Sequence, residues 1–216
     1  MTSHYILPTI TVLDDFFDDP LWVKNYALSL SYAKDTQNQW PGERSELLDV
    51  INKDMLGYIV NKFLSLYYDH SNTNIVWHAN GSFQKTNKLY KDGWIHTDAE
   101  LITVIIFLND DADPTSGTTL YEKKTEIAVA MHTDKKKESF DNTDLIESME
   151  EFRLEHNAQF KESIVIKNKF NRLIAFDSQM FHGANNFDAT DERLTLVIFI
   201  DRLQVNNYPI QRLKKL

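Results

Sequence analysis

The triplet His96-Thr97-Asp98 places an imidazole and a carboxylate two positions apart. On an extended strand, residues at that spacing point to one face, so both side chains can converge on a single ion. A further histidine, His182, lies far downstream between two β-like runs, Leu173 to Phe176 and Leu194 to Ile200. Two imidazoles and one carboxylate leave other coordination positions free, an open set that suits Fe(II) binding both a co-substrate and O2. The negative charge of Asp98 lowers the cost of burying a dication. A second triplet, His132-Thr133-Asp134, shows how little such a pattern means alone. Context separates the two. His132 runs into Lys135-Lys136-Lys137, whose ammonium groups would oppose a dication, whereas His96 comes just before the most strand-like segment of the chain. The ligand set is read as His96, Asp98 and His182.

Arg193 opens the run Arg193-Leu194-Thr195-Leu196-Val197-Ile198-Phe199-Ile200. Strand alternation puts Arg193 and Thr195 on one face and Leu194 and Leu196 on the other. A guanidinium at the mouth of an apolar strand needs an anion, and its fork matches a carboxylate with two hydrogen bonds. A dicarboxylate held by the metal at one end could be gripped by Arg193 and Thr195 at the other. Pairing of Arg193 with Asp188, Asp191 or Glu192 at the surface explains the same residue without any ligand. Asn80, Gln84, Tyr90 and Asn109 are candidates to line the pocket, or are satisfied polar residues near strand ends. Trp94 and Phe181, beside the ligands, read first as aromatic packing. Gly183 reads as a close turn past the metal or as a simple turn. Trp40 and Arg44 belong to a turn that could rim the site. His4, His70, His78 and His156 have no partner spacing and receive no chemistry.

The elements that would position these groups change character near residue 75. Asp19 and Pro20 predict an N-cap and first helical position, opening a helix through Trp22, Tyr26 and Leu30. A second helix is predicted over Leu47 to Tyr67, where Leu48, Ile51, Met55, Ile59, Phe63 and Leu66 recur at helical spacing. Short strands follow: Ile75 to Phe83, Trp94 to Thr97, Leu101 to Leu108, Thr118 to Tyr121, Glu126 to Met131, Ser163 to Ile166, Leu173 to Phe176 and Leu194 to Ile200. Many short strands with few helices predict a sandwich or partly open barrel. Leu101 to Leu108 is apolar at successive positions, as in a strand covered on both faces. A charged interruption runs from His132 to about Lys161. Its stretch Asp144 to His156 reads as a solvated surface helix, with Asp144 and Glu147 spaced as a capping pair; a lid that selects substrate is the alternative. The expected organisation is one domain over 1–216. Residues 1–74 form a helical support, and 75–201 a β core carrying the insertion at about 132–161.

Net charge is −9 with no cysteine among 216 residues. Acidity disfavours duplex nucleic acid as a partner, because a duplex binder needs a basic face to displace counterions. The missing thiols exclude disulfides, thiolate metal sites and cysteine nucleophiles. No run approaches the eighteen or so apolar residues of a membrane span, and no leader is apparent, so a cytoplasmic protein is expected.

Taken in order, Trp94-Ile95-His96-Thr97-Asp98, Phe107-Leu108-Asn109, Gly117-Thr118-Thr119-Leu120, Asn171 to Asp177, Phe181-His182-Gly183 and Arg193-Leu194-Thr195 resemble the Fe(II)/2-oxoglutarate-dependent oxygenase superfamily. The likeness is to its prolyl-hydroxylase-like branch and to small phage and bacterial members. It covers roughly residues 75 to 201, with a weaker match at Asp14 to Pro20. The resemblance implies a double-stranded β-helix (jelly-roll, cupin-like) core with flanking helices. It implies iron on His96, Asp98 and His182, and 2-oxoglutarate with its distal carboxylate on Arg193 and beside Thr195. It implies oxidative decarboxylation of 2-oxoglutarate, with O2 as co-substrate, coupled to hydroxylation of a protein side chain or small metabolite. The carboxylate at Asp98 favours hydroxylation over halogenation, which in related proteins uses a small residue there. One departure stands out. Relatives often carry Tyr where this chain has Phe107, so Thr195, Tyr90 or Gln84 would have to supply the missing hydrogen bond. Two other classes remain open: a cupin-like metalloprotein of different chemistry, which has no need of Arg193, and a non-catalytic binding module, which has no reason to keep all four residues.

Overall fold

The computed structural model describes residues 10–34, 42–71, 73–87, 92–111, 113–124, 146–189 and 191–206. Two antiparallel sheets dominate it. The larger has seven strands, in the order β1 (Ile10–Leu13), β8 (Leu173–Asp177), β5 (Ile102–Phe107), β10 (Glu192–Val205), β4 (Ile75–Asn87), β3 (Glu43–Ser45) and β2 (Tyr32–Lys34). The smaller has three: β7 (Phe160–Ile166), β6 (Thr118–Lys123) and β9 (Phe181–Ala184). Together they form the jelly-roll core, with helices packed outside the larger sheet.

Strand alternation splits the larger sheet between two apolar clusters. Ile102, Val104 and Ile106 of β5 and Leu194, Leu196, Ile198 and Ile200 of β10 join the outer core. Ile105 and Phe107, with Val197, Ile174 and Phe176, face inward toward the smaller sheet. Every residue of β5 is buried, as a strand covered on both sides requires.

The outer cluster is closed by helices α1 (Pro20–Ser29), α2 (Leu48–Ile51) and α3 (Lys53–Leu64). Asp19 caps α1, its Oδ1 accepting from Trp22 N at 3.0 Å, a contact typically worth about 1 kcal/mol. The helix predicted over Leu47 to Tyr67 is interrupted. Asn52 adopts φ −156° and ψ 69°, and its Oδ1 accepts from Met55 N, so it ends α2 and caps α3. Asn prefers a cap to a helix interior because its amide competes for backbone groups. Met55, Leu56, Ile59, Val60, Phe63 and Leu64 are the buried face of α3, each contributing roughly 1.5–3 kcal/mol by burial.

Several expected boundaries shift. Trp94 to Thr97 is no strand; it makes a single β-bridge, His96 opposite His182. Glu43 and Arg44, expected in a turn that begins at Trp40, belong to strand β3, which runs alongside Lys85 and Gln84. The first 74 residues also contribute β1, which pairs with β8. The insertion helix α4 (Ile146–Asn157) is not a solvated rod, since Arg153 and His156 are buried. Gly183 lies in β9, where an added Cβ would meet nothing nearer than 3.6 Å, so no close approach demands glycine there. Gly117 does need to be glycine, because its Cβ would lie 2.0 Å from the Ile166 carbonyl oxygen. The second triplet at 132–134, the run 126–131, Asp144 of the spacing pair, Trp40 and Tyr90 lie outside what is described. No helix among the described residues is long and apolar enough to cross a membrane.

The N-terminal approach to α1 is pinned by Asn171, at φ 61°. Its buried amide accepts from Phe17 N at 2.8 Å and donates to Phe17 O at 2.9 Å. Asn171→Ala loses both bonds and forces Cβ strain in a left-handed conformation. The expected cost is about 2–4 kcal/mol in urea denaturation, with Asn171→Gly about 1 kcal/mol milder. Equal losses in the two variants would show that the backbone conformation contributes nothing.

Candidate metal and dicarboxylate site

His96 and His182 are brought together by their own backbones. His96 N donates to His182 O at 2.9 Å and His182 N to His96 O at 2.8 Å, so the side chains rise from directly opposite positions. Their ring centroids are 4.4 Å apart. In each ring Nδ1 is committed to a backbone carbonyl two residues earlier, Trp94 O at 2.7 Å and Met180 O at 2.9 Å. A carbonyl can only accept, so Nδ1 carries a proton whatever the charge of the ring, and Nε2 is the nitrogen left to ligate a metal once its own proton is given up. Both Nε2 atoms face Asp98, at 3.5 Å from Oδ1 for His96 and 3.2 Å from Oδ2 for His182. One ligand atom from each of the three lies within 4.8 Å of the others. That donor set, with its second nitrogens already occupied, fits a divalent transition metal.

Asp98 is held separately. Its N donates to Ser178 O at 2.8 Å, and Gln179 Nε2 donates to its carbonyl at 2.7 Å. Thr103 Oγ1 donates to Oδ2 at 2.8 Å. With that hydroxyl proton spent, Ser178 is the donor in the 2.8 Å contact between the two hydroxyls. Burial by itself would raise the Asp98 carboxyl. The hydrogen bond and charge of His182, the charge of His96 and the Thr103 hydroxyl outweigh it and hold the group well below the usual carboxylate range. The carboxylate is therefore ionised and ready to ligate at neutral pH.

Arg193 opens the inward face of β10, shared with Thr195 and Val197. It is only 2% exposed, and its surface pairing with an acid does not occur among the described residues. Nε donates to Ser116 O at 3.2 Å, while Nη2 has no partner. The guanidinium lies 5.3 Å from the Phe107 ring centroid and 5.7 Å from that of Phe187. Burial without a counter-ion pushes its pKa down to about 10. Phe107 thus presents a ring face to the arginine and has no hydroxyl to offer.

Around it lie other buried polar atoms without hydrogen-bond partners: Oγ1 of Thr195, Thr86 and Thr118. Thr86 is the cross-strand neighbour of Arg193, so it shares the inward face. Thr118 stands two residues before Leu120, which belongs to the inward cluster opposite His182. Each unmet buried polar group costs about 1–3 kcal/mol, and a carboxylate, an acceptor at two oxygens, would satisfy donors of this kind. The sequence reading named Thr195 and missed Thr86 and Thr118. Alternation along β4 puts Thr86 on the same face as Gln84, but only the register shows that it meets Arg193.

Of the other candidates, Gln84 is buried opposite Thr195 and beside Arg44. Asn80 is partly buried opposite Phe199. Asn109 serves the fold, its Oδ1 accepting from Leu194 N and its Nδ2 donating to Glu192 O. Trp94 packs on His156, and Phe181 on Phe160.

The fold is similar to that of solved structures of 2OG-Fe(II) oxygenases. HygX from Streptomyces hygroscopicus, solved with nickel and 2-oxoglutarate, is 10% identical at a TM-score of 0.51, the match covering 89% of this chain and 82% of the other. A 2OG-Fe(II) oxygenase family protein from Burkholderia pseudomallei is 13% identical at 0.53, over 89% and 85%. A Trichoplax adhaerens prolyl hydroxylase, solved with a hypoxia inducible factor peptide fragment, is 11% identical at 0.51, over 89% and 83%. No curated protein matches the sequence. The chain belongs to the family of unknown function DUF6445, whose model matches residues 7–200.

The unpaired Arg193 leads to a direct expectation. Saturating succinate, a dicarboxylate added without metal, should raise the melting temperature by roughly 5–10 °C at a hundredfold excess over its Kd. Arg193→Met should abolish that rise yet leave the ligand-free melting temperature unchanged or higher, because an uncompensated buried charge is removed. A large loss of ligand-free stability in Arg193→Met would contradict this account.

Proposed function

We propose that the protein is an Fe(II)- and 2-oxoglutarate-dependent oxygenase that hydroxylates a C–H bond of a protein side chain or small metabolite. The observation that carries the reading is the buried Arg193 guanidinium, without a carboxylate partner, on the inward face of a cup that also presents an open His-Asp-His set. A metalloprotein of other chemistry needs the second feature and not the first.

In this reading His96, Asp98 and His182 hold the iron, and Arg193 with Thr195 holds the distal carboxylate of 2-oxoglutarate, with Thr86 and Thr118 as further hydroxyl donors. When bound, iron and 2-oxoglutarate supply dioxygen activation coupled to decarboxylation, placing one oxygen atom in the substrate C–H bond and the other in succinate. The chain's own residues do the rest. Trp94 O and Met180 O orient the imidazoles; Thr103, fed by Ser178, orients the carboxylate. Ile105, Phe107, Ile174, Phe176 and Val197 line the inward face with hydrocarbon and exclude water from the co-substrate. In this reading Gln84, buried opposite Thr195, or Tyr90 gives the co-substrate its further hydrogen bond. Asp98, ionised before metal arrives, completes the ligand set and occupies the position that a halide would need.

Anaerobic titration of the metal-free protein with Fe(II) and 2-oxoglutarate tests the reading through the visible charge-transfer absorption of the chelate. The absorption is expected in the native protein and in His132→Ala. It should vanish in His96→Ala and require at least about tenfold more 2-oxoglutarate in Arg193→Ala, given the strength of a buried charge-assisted pair. Iron binding without the absorption would favour a cupin-like metalloprotein of other chemistry, and no iron binding would sink the oxygenase reading.

A further inference from the structure

Among the described residues, the backbone–backbone partners of residues 93–96 lie on one edge. Gly93 N donates to Ala184 O at 2.8 Å, and His96 and His182 exchange the two bonds already described. On the opposite edge, where another strand would normally continue the sheet, stands the C-terminal turn of α4. Asn157 Oδ1 accepts from Ile95 N at 3.0 Å, and its Nδ2 donates to Gly93 O at 3.0 Å. A single side-chain amide thus offers one acceptor and one donor in the manner of a strand's peptide group. His156 Nε2 donates to Ile95 O at 2.7 Å. Its ring centroid lies 5.5 Å from that of Trp94 and 5.4 Å from that of Phe160, so the helix is seated by packing as well as polar contacts. Arg153, buried on the same helix, holds Glu150 at 2.5 and 2.9 Å and approaches Asp92, at the start of the segment, to 3.9 Å.

We propose that α4 is the positioning element of the metal centre: Asn157 and His156 hold the Gly93–His96 backbone so that the His96 imidazole is aimed before metal binds. This rests on the reading of His96 as an iron ligand. Trp94 O, which accepts from His96 Nδ1, belongs to the peptide that links Trp94 to Ile95, and Ile95 N, which donates to Asn157, belongs to the same peptide. A plane held at one atom is held at the other, so the amide of Asn157 sets the carbonyl that orients the imidazole. The insertion therefore acts on the reaction by fixing a ligand, and Asn157 and His156 are positioning residues.

The test uses the full chain, Co(II) alone as the probe, and variants Asn157→Ala, His156→Phe, His156→Gln and Leu154→Ala. Leu154 is 54% exposed on the same helix and serves as the control. Asn157→Ala and His156→Phe should weaken Co(II) binding by about tenfold to hundredfold, the usual loss for a residue supporting a metal ligand. His156→Gln, which keeps a donor near the Nε2 position, should recover most of that affinity, and Leu154→Ala should change nothing. In the Co(II) protein the hyperfine-shifted Nδ1–H resonance of His96 should move in the weakened variants while that of His182 stays. Amide hydrogen exchange of the metal-free protein should show lost protection at Ile95 in Asn157→Ala. Unchanged Co(II) affinity despite that lost protection would overturn the proposal, leaving α4 as scaffold only. Displacement of both histidine resonances together would also overturn it. If Asn157→Ala does not fold, the His156→Phe and His156→Gln pair decides. Failure of the native protein to bind Co(II), with Ile95 still protected, would instead overturn the metal reading, and the positioning role would fall with it.

Discussion

The pair of backbone hydrogen bonds between His96 and His182 is the constraint on which the site depends. It sews an otherwise irregular segment onto the edge of the smaller sheet and sets two imidazoles side by side, tilted by 50°. Because the pair is directly opposed across an antiparallel bridge, both side chains leave from one face, and the Nδ1 bonds to Trp94 O and Met180 O fix how the rings turn. Asp98 then reaches the same point from beyond the bridge, anchored by Ser178 and Thr103 of the larger sheet. Each ligand is thus referred to a different part of the scaffold, and their convergence follows from closure of the jelly roll.

The two long central strands carry a double burden. Even-numbered positions of β10 from Leu194 to Ile200 pack against the helices, while Arg193, Thr195 and Val197 face the cup. The outer face supplies most of the apolar burial and can therefore tolerate polar atoms without partners on the inner one. Arg193, Thr195, Thr86 and Thr118 are such atoms. Unmet polar groups gathered around one buried cation are expensive for a fold and useful for a ligand site, and proteins retain such groups where a ligand completes them.

The insertion ties these features to the periphery. Its helix covers the free edge of the ligand-bearing segment with side chains in place of a strand, and its aromatic neighbours bury His156. A sheet edge left open would expose backbone donors and acceptors beside the His96, Asp98 and His182 group; the Asn157 amide satisfies them.

Much of this was legible in the residues themselves. The continuous apolar run Leu101 to Leu108 announced a doubly covered strand, Asp19 and Pro20 announced a helix start, and the grouping of His96, Asp98 and His182 was readable from type and spacing, because those signals are local. The break at Asn52 was local too, yet periodicity on either side of it masked the cap. What spacing could not decide was contact between distant parts: Thr86 and Thr118 gathered near Arg193, Phe107 turned to the guanidinium, and α4 buried against Trp94 and Ile95. A charged helix looks solvated in sequence, since only its buried face meets the fold, and that face is defined by partners many residues away. The sequence by itself determined which side chains could bind a metal and a dicarboxylate; the tertiary structure alone decided which backbones hold them in place, because register and sheet closure are long-range hydrogen-bonding facts with no local signature.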